Sequence, residues 1–187
     1  SWSLTPGGKY YVTRNESALL AFRVPKAGFA GFMISASHSD APCLRVKENA
    51  ELTGPETYVR LNVEKYGGML CAPWMDRPLT VAGRVLVQTE NAIETRLVYV
   101  DKDLLMIPNV AIHMNRAAND GYKYDLKCDM VPLLGLGLEK GSFRSIIAKT
   151  AGCAPEDILG TDLFLCPRQR GVQWGAADAF VSAPALD

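Results

Sequence analysis

Charge of either sign is not in excess in this sequence: 20 Lys and Arg balance 20 Asp and Glu over 187 residues. With no net charge and no local charge run, there is no field to attract nucleic acid or an anionic membrane. Long apolar runs are also missing, and none approaches the roughly 20 residues that cross a bilayer as a helix. The opening residues, Ser1-Trp2-Ser3-Leu4-Thr5-Pro6, lack the basic-then-apolar order of a secretory leader. No repeat period and no low-complexity stretch occurs. Gly67-Gly68 lacks the spacing and trailing lysine of a phosphate loop, and no G-x-S-x-G elbow surrounds Ser35, Ser37 or Ser39. The cysteines, Cys43, Cys71, Cys128, Cys153 and Cys166, are odd in number, and no two sit at metal-knuckle spacing. Buried, reduced thiols of a cytoplasmic chain are the expectation. Asn15-Glu16-Ser17 matches a glycosylation acceptor but has no secretory context.

What is present is the composition of a globular protein, 48% hydrophobic, with enough apolar side chain for a real core. Tyr10-Tyr11-Val12 and Ala18-Leu19-Leu20-Ala21-Phe22 flank Arg14-Asn15-Glu16 and predict a hairpin. Residues 29–36 are short, apolar and rich in small side chains, which predicts an interior strand of an α/β sheet. After Lys47 short alternating segments follow, at 58–63, 79–88 and 96–100, separated by turn formers, and these predict a β-rich unit. A helix is predicted from Ser142, a candidate N-cap, with Phe143, Ile146, Ile147 and Thr150 at helical spacing and Gly152 closing it. Pro155-Glu156-Asp157 opens a short turn, and residues 162–166 read as a strand.

Ser37-His38-Ser39-Asp40 is the sharpest chemical feature. Residues two apart in extended chain share a face, so His38 and Asp40 can serve one site. Imidazole is a good zinc ligand, and a carboxylate commonly fixes the tautomer of a ligating histidine. The competing reading is a polar loop. His113, in Ile107-Pro108-Asn109-Val110-Ala111-Ile112-His113-Met114, reads by itself as a lone histidine ending an apolar stretch. Trp74-Met75-Asp76-Arg77-Pro78 reads as a packed turn with an internal ion pair.

Taken together, these strings resemble the aspartyl aminopeptidase family of dinuclear zinc exopeptidases. The matching strings are Lys9-Tyr10-Tyr11-Val12-Thr13-Arg14-Asn15, Ser37-His38-Ser39-Asp40-Ala41-Pro42-Cys43-Leu44-Arg45-Val46-Lys47 and Tyr66-Gly67-Gly68. Trp74-Met75-Asp76-Arg77-Pro78-Leu79-Thr80-Val81-Ala82-Gly83-Arg84-Val85 and Ile107-Pro108-Asn109-Val110-Ala111-Ile112-His113 continue them in the family's order. The resemblance implies that His38 is a zinc ligand and Asp40 the carboxylate that orients it. It implies that Asp187 bridges two metals, although the family's Arg-Leu-Asp-Asn stands here as Ala185-Leu186-Asp187 with no asparagine after it. His113 corresponds to a residue lent to a neighbouring subunit's active site. The family's paired glutamates and later metal ligands fall beyond Asp187.

The implied chemistry is hydrolysis of a peptide's N-terminal bond, acidic residues favoured, by a water activated between two zinc ions, with cobalt or manganese as alternatives. A zinc takes about four ligands, more than His38, Asp40 and Asp187 offer, so the isolated chain is expected to be inactive. The implied fold is α+β: a partial α/β peptidase core at 1–46, a β-rich inserted dimerisation domain at 47–179, and a return into the core at 180–187. Peptide substrate and a homo-oligomer of dimers are the implied partners, with no nucleic acid and no membrane. A non-catalytic assembly module is the alternative. A glutamyl aminopeptidase relative would share the plan but carry different strings.

Overall fold

The computed structural model describes residues 2–184. The chain divides into two compact units, residues 1–39 and 40–187.

The first unit is built on an antiparallel hairpin, β1 (Lys9–Arg14) and β2 (Ala18–Arg23), paired from Lys9↔Arg23 to Arg14↔Ala18. Asn15 and Glu16 take positive φ at its turn. Trp2, Tyr10 and Phe22 stack on one another with centroids 5.5 to 6.2 Å apart. None of residues 2–39 is buried. Residues 29–36 do not form the predicted interior strand. They are unpaired and exposed, Phe32 at 82% and Ile34 at 87%. The physical reason is that a buried strand needs neighbours on both edges and both faces. The six residues of β1 and of β2 are committed to each other instead.

The second unit is a six-stranded sheet. Its strands are β3 (Cys43–Thr53), β4 (Tyr58–Tyr66), β5 (Leu79–Gln88), β6 (Ile93–Tyr99), β7 (Leu133–Leu136) and β8 (Ile158–Pro167). They lie in the order β6-β5-β8-β3-β4-β7, every ladder antiparallel. Leu44, Val46, Leu61, Val81, Val85, Leu163 and Leu165 point to one face and are essentially removed from water. That face belongs to the same core as Phe143 and Ile147 of the helix α1 (Ser142–Ala151). Each such side chain contributes about 1.5–3 kcal/mol. At Gly83, φ is +150° and a Cβ would stand 2.1 Å from the carbonyl oxygen of Asp162. Only glycine lets β5 and β8 approach this closely.

The helix ends as predicted, with Gly152 left-handed at its C-cap. Its start differs: Gly141, not Ser142, is the N-cap, and no side chain of its own caps it. Glu51 of β3 does so from across the fold, accepting from the backbone N–H of Gly141 (2.7 Å) and of Phe143 (2.6 Å). A carboxylate there satisfies two orphan donors and complements the helix dipole.

A second hairpin, β9 (Val172–Trp174) with β10 (Phe180–Ser182), follows, Trp174 stacked on Phe180. The five cysteines are free, as expected for reduced thiols, but four are only half-buried and Cys128 is exposed. No helix among the described residues is long and apolar enough to cross a membrane.

Candidate functional site

Two of the strings singled out in the sequence meet at the start of the second unit. Asp40 is exposed, and its Oδ2 accepts a hydrogen bond of 2.5 Å from the Tyr66 hydroxyl at the end of β4. β3 and β4 bring this about, because Cys43 lies opposite Tyr66. Gly67, at φ +75°, turns the chain against Pro42, where a Cβ would already be in van der Waals contact. Tyr66 also stacks edge-on against Phe164 of β8, centroids 5.6 Å apart. The phenol of Tyr66 is pushed above its ordinary value by donating to Asp40, then by that carboxylate's charge. Cys43 is raised chiefly by burial and then by Asp40. Tyr66 was not foreseen as a site residue; the signal was its place in the Tyr66-Gly67-Gly68 string.

On the sheet face beside them, Asp162 bridges Arg45 (3.3 Å) and Arg84 (3.4 Å). Further along, Arg168 donates to Asp101, to Asp103 (3.0 Å) and to the Tyr99 hydroxyl (2.9 Å). These half-exposed pairs are worth little individually.

His38 lies in the first unit, exposed, in a stretch without regular structure. Asp187 lies outside the described residues. Among the described residues no group of three or more His, Cys, Asp or Glu side chains is arranged to hold a metal ion. Zinc takes about four ligands, so His38 and Asp40 do not by themselves make a zinc site.

His113 is exposed at the third position of a turn closed by the Met114 N–H on the Ala111 carbonyl (2.8 Å). The segment leaves the core at Ile107, which is fully buried. Asp76 holds its root: the Asp76 N–H donates to the Ile107 carbonyl (2.9 Å), and Asp76 Oδ1 accepts from the Asn109 N–H (2.8 Å). The Trp-Met-Asp-Arg-Pro string is thus the packed turn expected, Trp74 and Met75 buried. Asp76 bonds the His113 loop, and no ion pair between Asp76 and Arg77 occurs among the described residues.

A cavity of about 730 Å³ lies away from these groups, between β3 and α1. Of its two carboxylates, Glu48 and Glu51, the latter is already engaged with the helix terminus.

The fold is shared with metallo-aminopeptidases. The structure of Chaetomium thermophilum mApe1 matches with a TM-score of 0.82 at 31% identity, over 97% of this chain and 44% of that one. The structure described as the S. cerevisiae mApe1 dodecamer matches with a TM-score of 0.71 at 25% identity, over 94% of this chain and 40% of that one. A probable M18 family aminopeptidase 2 of Clostridium acetobutylicum is 41% identical over 194 residues, covering 100% of this chain and 45% of that protein. The family model described as aminopeptidase I zinc metalloprotease, M18, matches residues 1–187. The chain belongs to the M18 aminopeptidase family, and it spans less than half the length of the curated relatives it matches.

Proposed function

We propose that a full-length protein carrying this sequence is a metal-dependent aminopeptidase that removes N-terminal residues from peptides, acidic ones preferred. The carrying observation is the family match across residues 1–187, which includes the Ser37-His38-Ser39-Asp40 string. In this reading His38 is a metal ligand, Asp40 orients it and Asp187 is the bridging carboxylate. Zinc is the family's metal, and two ions per site, or cobalt or manganese in zinc's place, belong to the proposal. The role of Asp40 is supported by its exposed carboxylate, held by Tyr66 on a rigid strand end. His113 reaches a neighbouring subunit's site, a role consistent with its exposure on a loop with a fixed root.

Residues 1–46 are read as part of the peptidase core, 47–179 as an inserted dimerisation domain and 180–187 as the return into the core. The antiparallel sheet supports the β-rich reading of the insert. The protein is read as cytoplasmic and as a homo-oligomer, in keeping with the dodecamer described for the S. cerevisiae relative.

The test is hydrolysis of amino-acyl substrates by the full-length protein with zinc. Acidic residues should be cleaved fastest, and His38→Ala should lower kcat/KM by at least about a hundredfold, since loss of a ligand removes the metal's activation of water. Unchanged turnover in His38→Ala would remove that residue from the site.

One observation favours a second reading, a non-catalytic assembly module. Leu86, Ile93, Leu97 and Tyr99 share one face of β5 and β6 and are 42 to 78% exposed. A full-length protein without peptidase activity that still forms oligomers would support it.

A further inference from the structure

We infer that Asp76 is a positioning residue for His113, fixing the root of the loop that presents this histidine; the inference rests on the reading of His113 given above. The loop from Pro108 to Met114 has little else to hold it. Its residues are exposed, Val110 at 44%, Ile112 at 47% and Met114 at 80%, and among the described residues its only backbone closure is the turn at residues 111–114. Beneath Pro108, Asn109 and Val110 lies not packed core but a hollow of about 360 Å³, also lined by Arg60, Met75, Tyr122 and Asp129. Packing therefore does little to set the direction in which the loop leaves the sheet.

Asp76 does set it, through two bonds to residues two apart: its N–H to the Ile107 carbonyl, and its carboxylate to the Asn109 N–H. The residue that makes them is itself rigid. Its backbone sits at φ +55°, a region that aspartate tolerates better than most residues. Trp74 and Met75 before it are buried, and Pro78 fixes the chain just after it. The Asn109 side chain then accepts from the Val110 N–H (2.8 Å), carrying the restraint one residue further toward His113. A charge-assisted bond to a backbone amide is among the stronger kinds available at an exposed site. Small errors in placing a substrate-contacting group are costly to rate, so a residue this far from the chemistry acquires kinetic weight.

The experiment is a double-mutant cycle in the full-length oligomer, with Asp76→Ala, Asp76→Asn, His113→Ala and Asp76→Ala/His113→Ala. Asp76→Ala is expected to lower kcat/KM about tenfold, in line with modest misplacement of a contact group. Asp76→Asn, which keeps an acceptor oxygen, restores most of that loss. The double variant falls no further than His113→Ala alone, because Asp76 acts only through His113. Oligomer mass and melting temperature of both Asp76→Ala and Asp76→Asn, close to those of the parent, separate placement from folding. Asp76→Ala with full activity overturns the inference, and so does a double variant in which the two losses multiply. His113→Ala with full activity removes the reading on which the inference rests. Amide hydrogen exchange at Asn109 and Val110 then shows separately whether the clamp exists: faster exchange in Asp76→Ala supports it, unchanged exchange overturns it.

Discussion

The two units of this chain spend their apolar residues differently. In residues 40–187 a sheet of six strands closes over a core in which Leu61, Leu79, Val81, Val85 and Ile107 are wholly buried. In residues 2–39 no residue is buried, although Phe29, Phe32, Met33 and Ile34 are as apolar as anything in the sheet. The difference is one of partners, not of composition. The second unit contains its own strands in complementary register, whereas the first has one hairpin and an apolar stretch that pairs with no strand among the described residues. Apolar sequence states a need for burial, and only tertiary partners meet it.

The sheet of the second unit is most sensitive at Gly83. Replacing it with alanine drives a Cβ into the Asp162 carbonyl at 2.1 Å, and the backbone on both strands must shift. The expected loss is about 3 kcal/mol or more, read by denaturant unfolding of the 187-residue chain. Unchanged stability would mean that β5 and β8 are not locked as described.

Glu51→Ala comes next. It leaves the Gly141 and Phe143 amides without their acceptor, and should cost about 2 kcal/mol and increase hydrogen exchange in the first turn of α1. Glu51→Gln keeps an acceptor but not the charge, so its loss should be smaller. Equal losses would show that the charge contributes nothing.

Smaller is the effect of pH at Tyr66. Its phenol is raised, first by donating to the Asp40 carboxylate and then by that charge. Whatever this bond contributes is therefore present below the unfolded tyrosine value of about 10 and is lost as pH rises through the higher folded value. Tyrosinate absorbance should show late-titrating phenols, those of Tyr66 and of Tyr122, which donates to Asp129, and Asp40→Asn should bring only the Tyr66 phenol back toward the ordinary range. Identical titration curves for the two proteins would count against the contact.

Smallest of all is Phe32→Ser in the first unit. Unburied surface substitutions are usually within about 0.5 kcal/mol, so the isolated chain should unfold at the same denaturant concentration. A loss comparable to that of Gly83→Ala would show that residues 29–36 are packed after all, and the contrast between the units would fail.

These contrasts also explain what could be read in advance. Hairpin β1–β2, the alternating strands β4, β5 and β6, and the C-terminal end of α1 were legible because periodicity and turn chemistry are local. Strand β3 was not, because only Leu44 and Val46 alternate cleanly before Lys47-Glu48-Asn49 leave the pattern near its register shift. Residues 29–36 were misread because an aperiodic apolar run names no partner. The cap from Glu51 spans 90 residues and the clamp from Asp76 spans 33, distances over which no local rule operates. For the site, the ordered strings pointed to the right family. Tyr66 against Asp40, and Asp76 beneath the His113 loop, show that strings far apart in sequence meet in pairs in the fold.

The most direct test sets two proteins side by side: the 187-residue chain and a full-length protein carrying it, each purified, loaded with zinc and given a chromogenic aspartyl substrate. Zinc-dependent release of N-terminal aspartate by the full-length protein is expected, with its loss in His38→Ala and no turnover by the 187-residue chain. Zinc-dependent turnover by the chain alone would contradict the claim that its residues are too few to make the site, and a full-length protein inert toward every amino-acyl substrate would contradict the proposed function itself.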